Sequence, residues 1–350
     1  MNFNLTLLEE LCKTPGAPGR EERVRELVHS QLEELCDEVT TDVLGNVIGL
    51  KRGSDGGDTP RRLMLSSHMD EISFLVTHVD DHGFIRFTTL GNFDPKTLTA
   101  QRVWVHGQRD LLGVMGTKPI HILTDDERRV APTTNDYFVD VGLPPDEVAA
   151  LVSVGDVITR EREVVEIGQM VSGKSFDNRI GIFVALEALR RVGTHHYDVY
   201  AVATVQEEIG LRGATVAARN IDPDVGIALD ITVANDVPEA KPQQYCTRLG
   251  LGAAIKIMDS SVVCHPGIVG LLETLASERE IAVQREVLVR GGTDTGAIQR
   301  SGSGAAVGCV SIPTRYVHSS IEMCAKSDIE AAIQLLAAFI EEVHREPFSL

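Results

Sequence analysis

The sequence predicts an α/β protein with a small all-β domain spliced into it. Two patterns and the chain length carry this reading. Apolar runs rich in β-branched residues alternate with helical patterns over the first 70 residues and resume after residue 164. Between them, from about Ile72 to Glu163, short alternating runs such as "GFIRFTTL", "RVWVHG", "LLGVMG" and "YFVDVGL" are separated by Gly, Pro, Asn and Asp. A length of 350 residues suits two domains. The predicted division is residues 1–71 and 164–350 in one discontinuous α/β domain, with 72–163 as the β insert.

The elements follow in order. In "REERVRELVHSQLEELCDE", Val24, Leu27, Val28, Leu32 and Leu35 fall on one helical stripe. Strands are expected around Val39–Asp42 and Val47–Leu50, with Gly45-Asn46 as the turn. "RLMLSSHMDE" reads as a buried strand, Leu63 to Leu65, running out into His68 and Asp70. Within the insert only a short helical turn near Pro145–Ala150 interrupts the β texture. After it come a helix over "FDNRIGIFVALEALRRV", a strand at Val199–Val205, a helix near Ala214–Arg219 and a strand from Val225 to Leu229 that ends at Asp230. Pro266 stands where a helix running to about Glu280 would begin, and "AAVGCVSI" is another buried strand. The last helix repeats Ile329, Ile333, Leu336, Ile340 and Val343, and Ser327 with Glu330 stands in capping-box register.

Composition narrows the function. With 33 basic against 51 acidic residues the formal charge is −18, which argues against nucleic acid or an anionic membrane as a main partner. The six cysteines are scattered without C-x-x-C spacing, so neither a disulfide framework nor a cysteine metal site is expected. The opening "MNFNLTLLEELCKTPGAPG" lacks a basic leader, and no apolar run approaches the roughly 18 residues that would span a bilayer. A cytoplasmic protein is expected.

The candidate chemistry lies at predicted strand ends and turns: His68, Asp70, Asp177, the adjacent Glu207 and Glu208, Asp230, and His318. Singly, each has a structural explanation; Asp177, for instance, could simply cap the helix that follows it. Jointly they form a mixed imidazole and carboxylate set that suits Zn²⁺, Co²⁺ or Mn²⁺. Two such ions about 3.5–4 Å apart hold a water between them and polarise a carbonyl. One glutamate would then bind metal and its neighbour would move protons.

In that order, "SSHMDEISFLV", "GKSFDNRIG", "VQEEIGLRGA", "ALDITVANDVP", "RGGTDTGAI" and "IPTRYVHS" resemble the tetrahedral (TET-type) aminopeptidases, which include glutamyl, lysyl and deblocking enzymes. The resemblance covers nearly the whole chain. It implies a zinc-peptidase-like three-layer α/β/α catalytic domain, with the β insert serving in dimerisation and dimers building a hollow dodecamer. It implies two divalent metal ions per subunit, held by His68, Asp177 and Asp230 and by Asp177, Glu208 and His318, with Asp177 bridging. Glu207 would be the general base that activates a metal-bridging water, and Asp70 would orient His68. The substrates would be peptides with a free N-terminus. Where the family often has a second acid after the bridging aspartate, this chain has Asn178. Asp294 either helps place substrate or is a turn residue, and Arg179 and Arg315 either balance the site's charge or serve elsewhere. His121, His195 and His196 read as surface or structural. The rival readings are a related metal-dependent amidohydrolase (a deacylase or carboxypeptidase), a glycoside hydrolase and a catalytically silent assembly protein. The family has sometimes been labelled cellulase, which a histidine-rich cluster and a single Trp do not favour.

Overall fold

A computed structural model describes residues 4–54 and 60–348. Eleven strands form one sheet, whose central path runs Glu38–Thr41, Val47–Lys51, Asp198–Thr204, Arg62–His68, Val225–Val233, Ala306–Arg315, Glu322–Ala325, Met170–Gly173 and Val165–Ile167. The strands Ala253–Met258 and Val283–Val287 branch from Ala306–Arg315. Asp198–Thr204, Arg62–His68, Val225–Val233 and Ala306–Arg315 are mutually parallel, so their carboxyl ends open along one edge.

A single strand explains the layering. Successive side chains point to opposite faces. Leu63 and Leu65 enter the core shared with Ile180, Phe183, Leu336 and Phe339, while Met64 enters a separate core with Ala217, Ile221 and Ile298. Helices Phe176–Arg191 and Lys326–Glu342 therefore cover one face, and Arg212–Ile221 and Asp294–Gln299 the other. This is a three-layer α/β/α arrangement, and it accounts for the near-continuous apolar character of the central strands.

The strands from Ser73 to Arg160 behave differently. Ser73–Val79, Ile85–Leu90, Tyr137–Asp140, Asp110–Thr117, Arg102–His106 and Val157–Arg160 close into a barrel. Its interior holds every second residue, among them Phe74, Val76, Ile85, Phe87, Val103 and Val105. Closure removes the exposed edges a small sheet would otherwise present.

Several elements extend the sequence reading. The predicted helix near Ala214–Arg219 runs over Arg212–Ile221, and the turn near Pro145 is a helix, Pro145–Leu151. Pro266 does open its helix. The capping box at Ser327 and Glu330 does not form. The last helix begins at Lys326, and Glu330 instead binds the Arg191 guanidinium at 2.5 and 3.0 Å. A charged partner on a neighbouring helix outcompetes a local amide. All six cysteines are free, and among the described residues no helix is long and apolar enough to cross a membrane.

Candidate metal centre

Strand ends supply most of the site. His68 closes its strand directly beside Thr204, the last residue of the neighbouring strand. Two residues later the chain turns: Gln206 adopts a left-handed conformation, φ 55°. Strand alternation therefore stops, and Glu207 and Glu208 both line one cavity with His68, Asp177, Asp230 and His318. Its volume is about 420 Å³. Asp177 arrives from the first turn of Phe176–Arg191 and His318 from the loop after Ala306–Arg315. Ligands of open α/β sheets bind at such carboxyl-end crevices.

The carboxylate of Asp177 sits between the two imidazoles. Its Oδ1 is 3.1 Å from His68 Nε2, and its Oδ2 is 3.1 Å from His318 Nε2. Around His68 Nε2 stand Glu207 Oε2 at 3.8 Å and Asp230 Oδ1 at 3.9 Å, while Glu208 Oε1 is 3.6 Å from His318 Nε2. His68 Nδ1 lies 3.1 Å from the Asp70 carbonyl, which can only accept, so Nδ1 carries a proton. Burial opposes a charge on the ring, but Glu207 and the bond to Asp177 outweigh it and push His68 well above the usual histidine range, so Nε2–H donates to Asp177.

Two further carboxylates hold the backbone beneath. Asp70 accepts from the backbone N–H of Glu207 at 2.9 Å and of Glu208 at 3.1 Å. Glu322 accepts from the N–H of Asp177 at 3.2 Å and of His318 at 2.8 Å. Each buried acid thus fixes a pair of residues that face the cavity. Asp70 orients more than the His68 ring, and Glu322 went unnoticed in the sequence. No spacing signal marks Glu322; only the pairing of Glu322 with Gly173 brings it beside Asp177.

Electrostatically the cluster is under strain. Burial, then the neighbouring Asp177 and Glu207, pushes Glu208 well above the usual carboxylate range. Glu207 is driven the same way by burial, with His68 opposing and Asp230 reinforcing. Burial lifts Asp230 to about 8. Asp177 alone is held low: burial works against its charge, but hydrogen bonds from His318 and His68 outweigh it. Among the described residues no Lys or Arg forms an ion pair with these four acids, and Glu208 Oε1 is buried without a hydrogen-bond partner.

These donors fit divalent cations. Metal–ligand bonds of about 2.0–2.2 Å place neighbouring donors roughly 3.2–3.6 Å apart, close to the spacings around both histidines. His68, Asp177 and Glu208 form one group of converging donor atoms, and His68, Glu207 and Asp230 another.

The remaining residues take other places. Asp294 does not line the cavity. It is buried, with Oδ2 accepting from Ser66 at 2.7 Å and Thr204 at 2.6 Å, whereas its neighbours Gly291, Gly292 and Thr293 form the wall. Asn178 donates to the Leu229 carbonyl at 2.7 Å and accepts from Gly181 N–H at 3.1 Å. A carboxylate could not make the first bond, so the amide ties the helix start to the strand that carries Asp230. Arg179 donates to the Leu11 and Thr14 carbonyls, and Arg315 pairs with Asp236 at 2.7 Å, so neither binds the cluster. His121 is exposed, His195 is buried, and His196 lies against His344 with ring centres 3.8 Å apart and the rings tilted.

Known proteins share this architecture. The lysyl aminopeptidase of Pyrococcus furiosus is 34% identical, over 98% of each chain. The crystal structure of a TET aminopeptidase from a marine sediment Thaumarchaeota archaeon superposes with a TM-score of 0.93 at 35% identity, covering 97% of this chain and 96% of that one. The Pyrococcus horikoshii TET1 peptidase, which can assemble into a tetrahedron or a large octahedral shell, superposes with a TM-score of 0.86 at 28% identity, over 97% and 99%. The family model of the M42 glutamyl aminopeptidases matches residues 45–335, and with that match the chain belongs to this family and is a peptide hydrolase.

Proposed function

We propose that this chain removes N-terminal residues from peptides with a free amino end, using two divalent cations at the cluster. His68, Asp177 and Asp230 would hold one, and Asp177, Glu208 and His318 the other. The observation that carries this reading is the Asp177 carboxylate, each oxygen 3.1 Å from a different histidine. A carboxylate shared in this way suits two cations better than one. Bound there, divalent ions supply Lewis acidity to the scissile carbonyl and to the attacking water.

The chain's own groups do the rest. Glu207 lines the cavity beside His68 and Asp230, and its backbone is fixed by Asp70. It accepts a proton from the nucleophile and returns it to the departing amine. Glu208, buried against His318 and lacking a partner for Oε1, is a ligand in this reading. The site favours zinc or cobalt, with manganese also compatible. Residues 1–71 and 164–350 act as the catalytic domain, and 72–163 as the assembly domain of a cytoplasmic homo-oligomer, a dodecamer built from dimers. The relatives' shells support that last statement.

The test is chelation, then reloading with Zn²⁺, Co²⁺ or Mn²⁺, assayed on aminoacyl-anilides beside N-acetylated analogues and a cellulose oligomer. Cleavage confined to free-amine substrates, abolished by chelation and restored by metal, is the expected outcome. Equal cleavage of the blocked analogues would replace the aminopeptidase by a deacylase-type amidohydrolase, and release of sugar would replace it by a glycosidase.

A further inference from the structure

The barrel buries a cation and leaves two of its donors unpaired. Arg160 ends the barrel strand Val157–Arg160, and it is 2% exposed. A buried guanidinium ordinarily finds acceptors for its donors. Here both Nε and Nη1 are buried without a hydrogen-bond partner. The guanidinium lies 5.6 Å from the centre of the Phe93 ring, which stacks on Phe74 in the barrel core with centroids 4.4 Å apart. Burial disfavours its charge, and the carboxylates that counter this are Glu322, Glu71, Glu208 and Asp177; its charge is also felt at His318. The segment that carries Phe93 reaches the cavity through the adjacent Asn92, and a side-chain carbon placed on Gly91 would stand 3.2 Å from Glu208 Oε2.

A cation–π contact alone does not account for this placement. Desolvating a guanidinium is costly unless negative charge compensates it. Of the four acids that act on it, Glu71 is already paired with Lys174, which leaves Asp177 and Glu208, the acids of the half-site that His318 completes, and Glu322 beneath them. Building on the proposed metal site, we infer that Arg160 is the resident cation of that half-site. It offsets the carboxylates when no divalent ion is bound, and it opposes the ion's entry because the two carry charge of the same sign. It is a positioning and charge-setting residue that need not touch substrate. The insert is thereby part of the electrostatics of the catalytic centre as well as a platform for assembly.

Arg160→Met keeps an apolar stem against Phe93 and removes the charge; Arg160→Lys keeps the charge and loses the planar fork. Zinc titration of the chelated full-length protein by competition calorimetry, with melting temperatures measured in both states, separates the possibilities. Arg160→Met is expected to bind its weaker-held ion or ions roughly tenfold more tightly than the unmodified protein. It should also lose more melting temperature without metal than with it, and Arg160→Lys should stay near the unmodified affinity. Unchanged or weaker zinc binding in Arg160→Met, equal losses of melting temperature in the two states, or failure to fold even with zinc would each reduce Arg160 to a packing residue and overturn the inference. An unmodified protein that binds no zinc would overturn the metal site itself, which is a different failure.

Discussion

Two buried clusters of charge sit side by side under the carboxyl edge of the sheet, and they are balanced in opposite ways. In one, Glu71 accepts from Lys174 Nζ at 2.9 and 2.7 Å and from Ser175 Oγ at 2.6 Å, with Arg179 Nη2 at 3.7 Å. In the other, Asp177, Glu207, Glu208 and Asp230 form ion pairs, among the described residues, with two imidazoles alone. Burial pushes the carboxyls of both clusters towards neutrality. Lys174 and Arg179 overcome it and hold Glu71 below the usual range, whereas Glu207 and Glu208 stay well above theirs. The first cluster is complete within the chain. The second is complete only with added positive charge, because unpaired buried charge is among the most expensive things a fold can carry.

The sharpest way to break this comparison is to neutralise one glutamate at a time in the incomplete cluster. Glu207→Gln should lower kcat by roughly 10²–10⁴, the range for losing a general acid–base, while both metal equivalents remain by elemental analysis. Glu208→Gln should lose metal from one half of the site. If Glu207→Gln is the variant that loses metal, the two roles are exchanged; the convergence of His68, Glu207 and Asp230 makes that outcome geometrically possible.

The complete cluster predicts the reverse behaviour. Lys174→Met removes the principal partner of Glu71 and leaves a buried acid with the Ser175 hydroxyl and the more distant Arg179. Urea unfolding of the metal-loaded protein should show a loss of about 3–5 kcal/mol, typical of breaking a buried pair, with metal affinity at the neighbouring site essentially unchanged. A variant that instead sheds its metals would mean that the two clusters are one electrostatic unit.

The contrast also explains what the sequence revealed. His68 and Asp230 stood out because each follows an apolar run, and parallel strands gather such positions at one edge. Glu207 and Glu208 were legible as a pair, and the left-handed turn at Gln206 is what lets both serve one cavity. The partners that finish the site were not legible. Glu322 depends on a strand register set far away in the chain, and Arg160 on how the barrel strands close on one another. Lys174 and Glu71 lie 103 residues apart with no pattern joining them. Local pattern shows which residues carry chemistry; the charge balance around them is a property of the tertiary fold.

A third pair tests whether burial or pairing sets the cost. Arg23, on the helix Glu22–Glu33, grips Asp110 of the barrel through two bonds of 2.6 and 2.9 Å, and His106 adds a contact of 2.8 Å. This pair is matched like Glu71 with Lys174 but exposed: the Arg23 side chain is 53% accessible and that of Asp110 35%. Water and salt screen it, so Arg23→Ala should cost no more than about 1 kcal/mol in urea unfolding. Asp110 is held at about 2, mainly by its bond from Arg23, with burial opposing and His106 assisting. A carboxyl depressed on folding stabilises the protein above its unfolded value, near 3.9, and loses that contribution as pH falls through about 2. The penalty of Arg23→Ala should therefore be flat from pH 8 to pH 5 and shrink below about pH 4. If it matched the penalty of Lys174→Met at neutral pH, pairing geometry rather than burial would set the cost, and the acid-rich cluster would no longer need an outside cation to account for its shifted carboxyls.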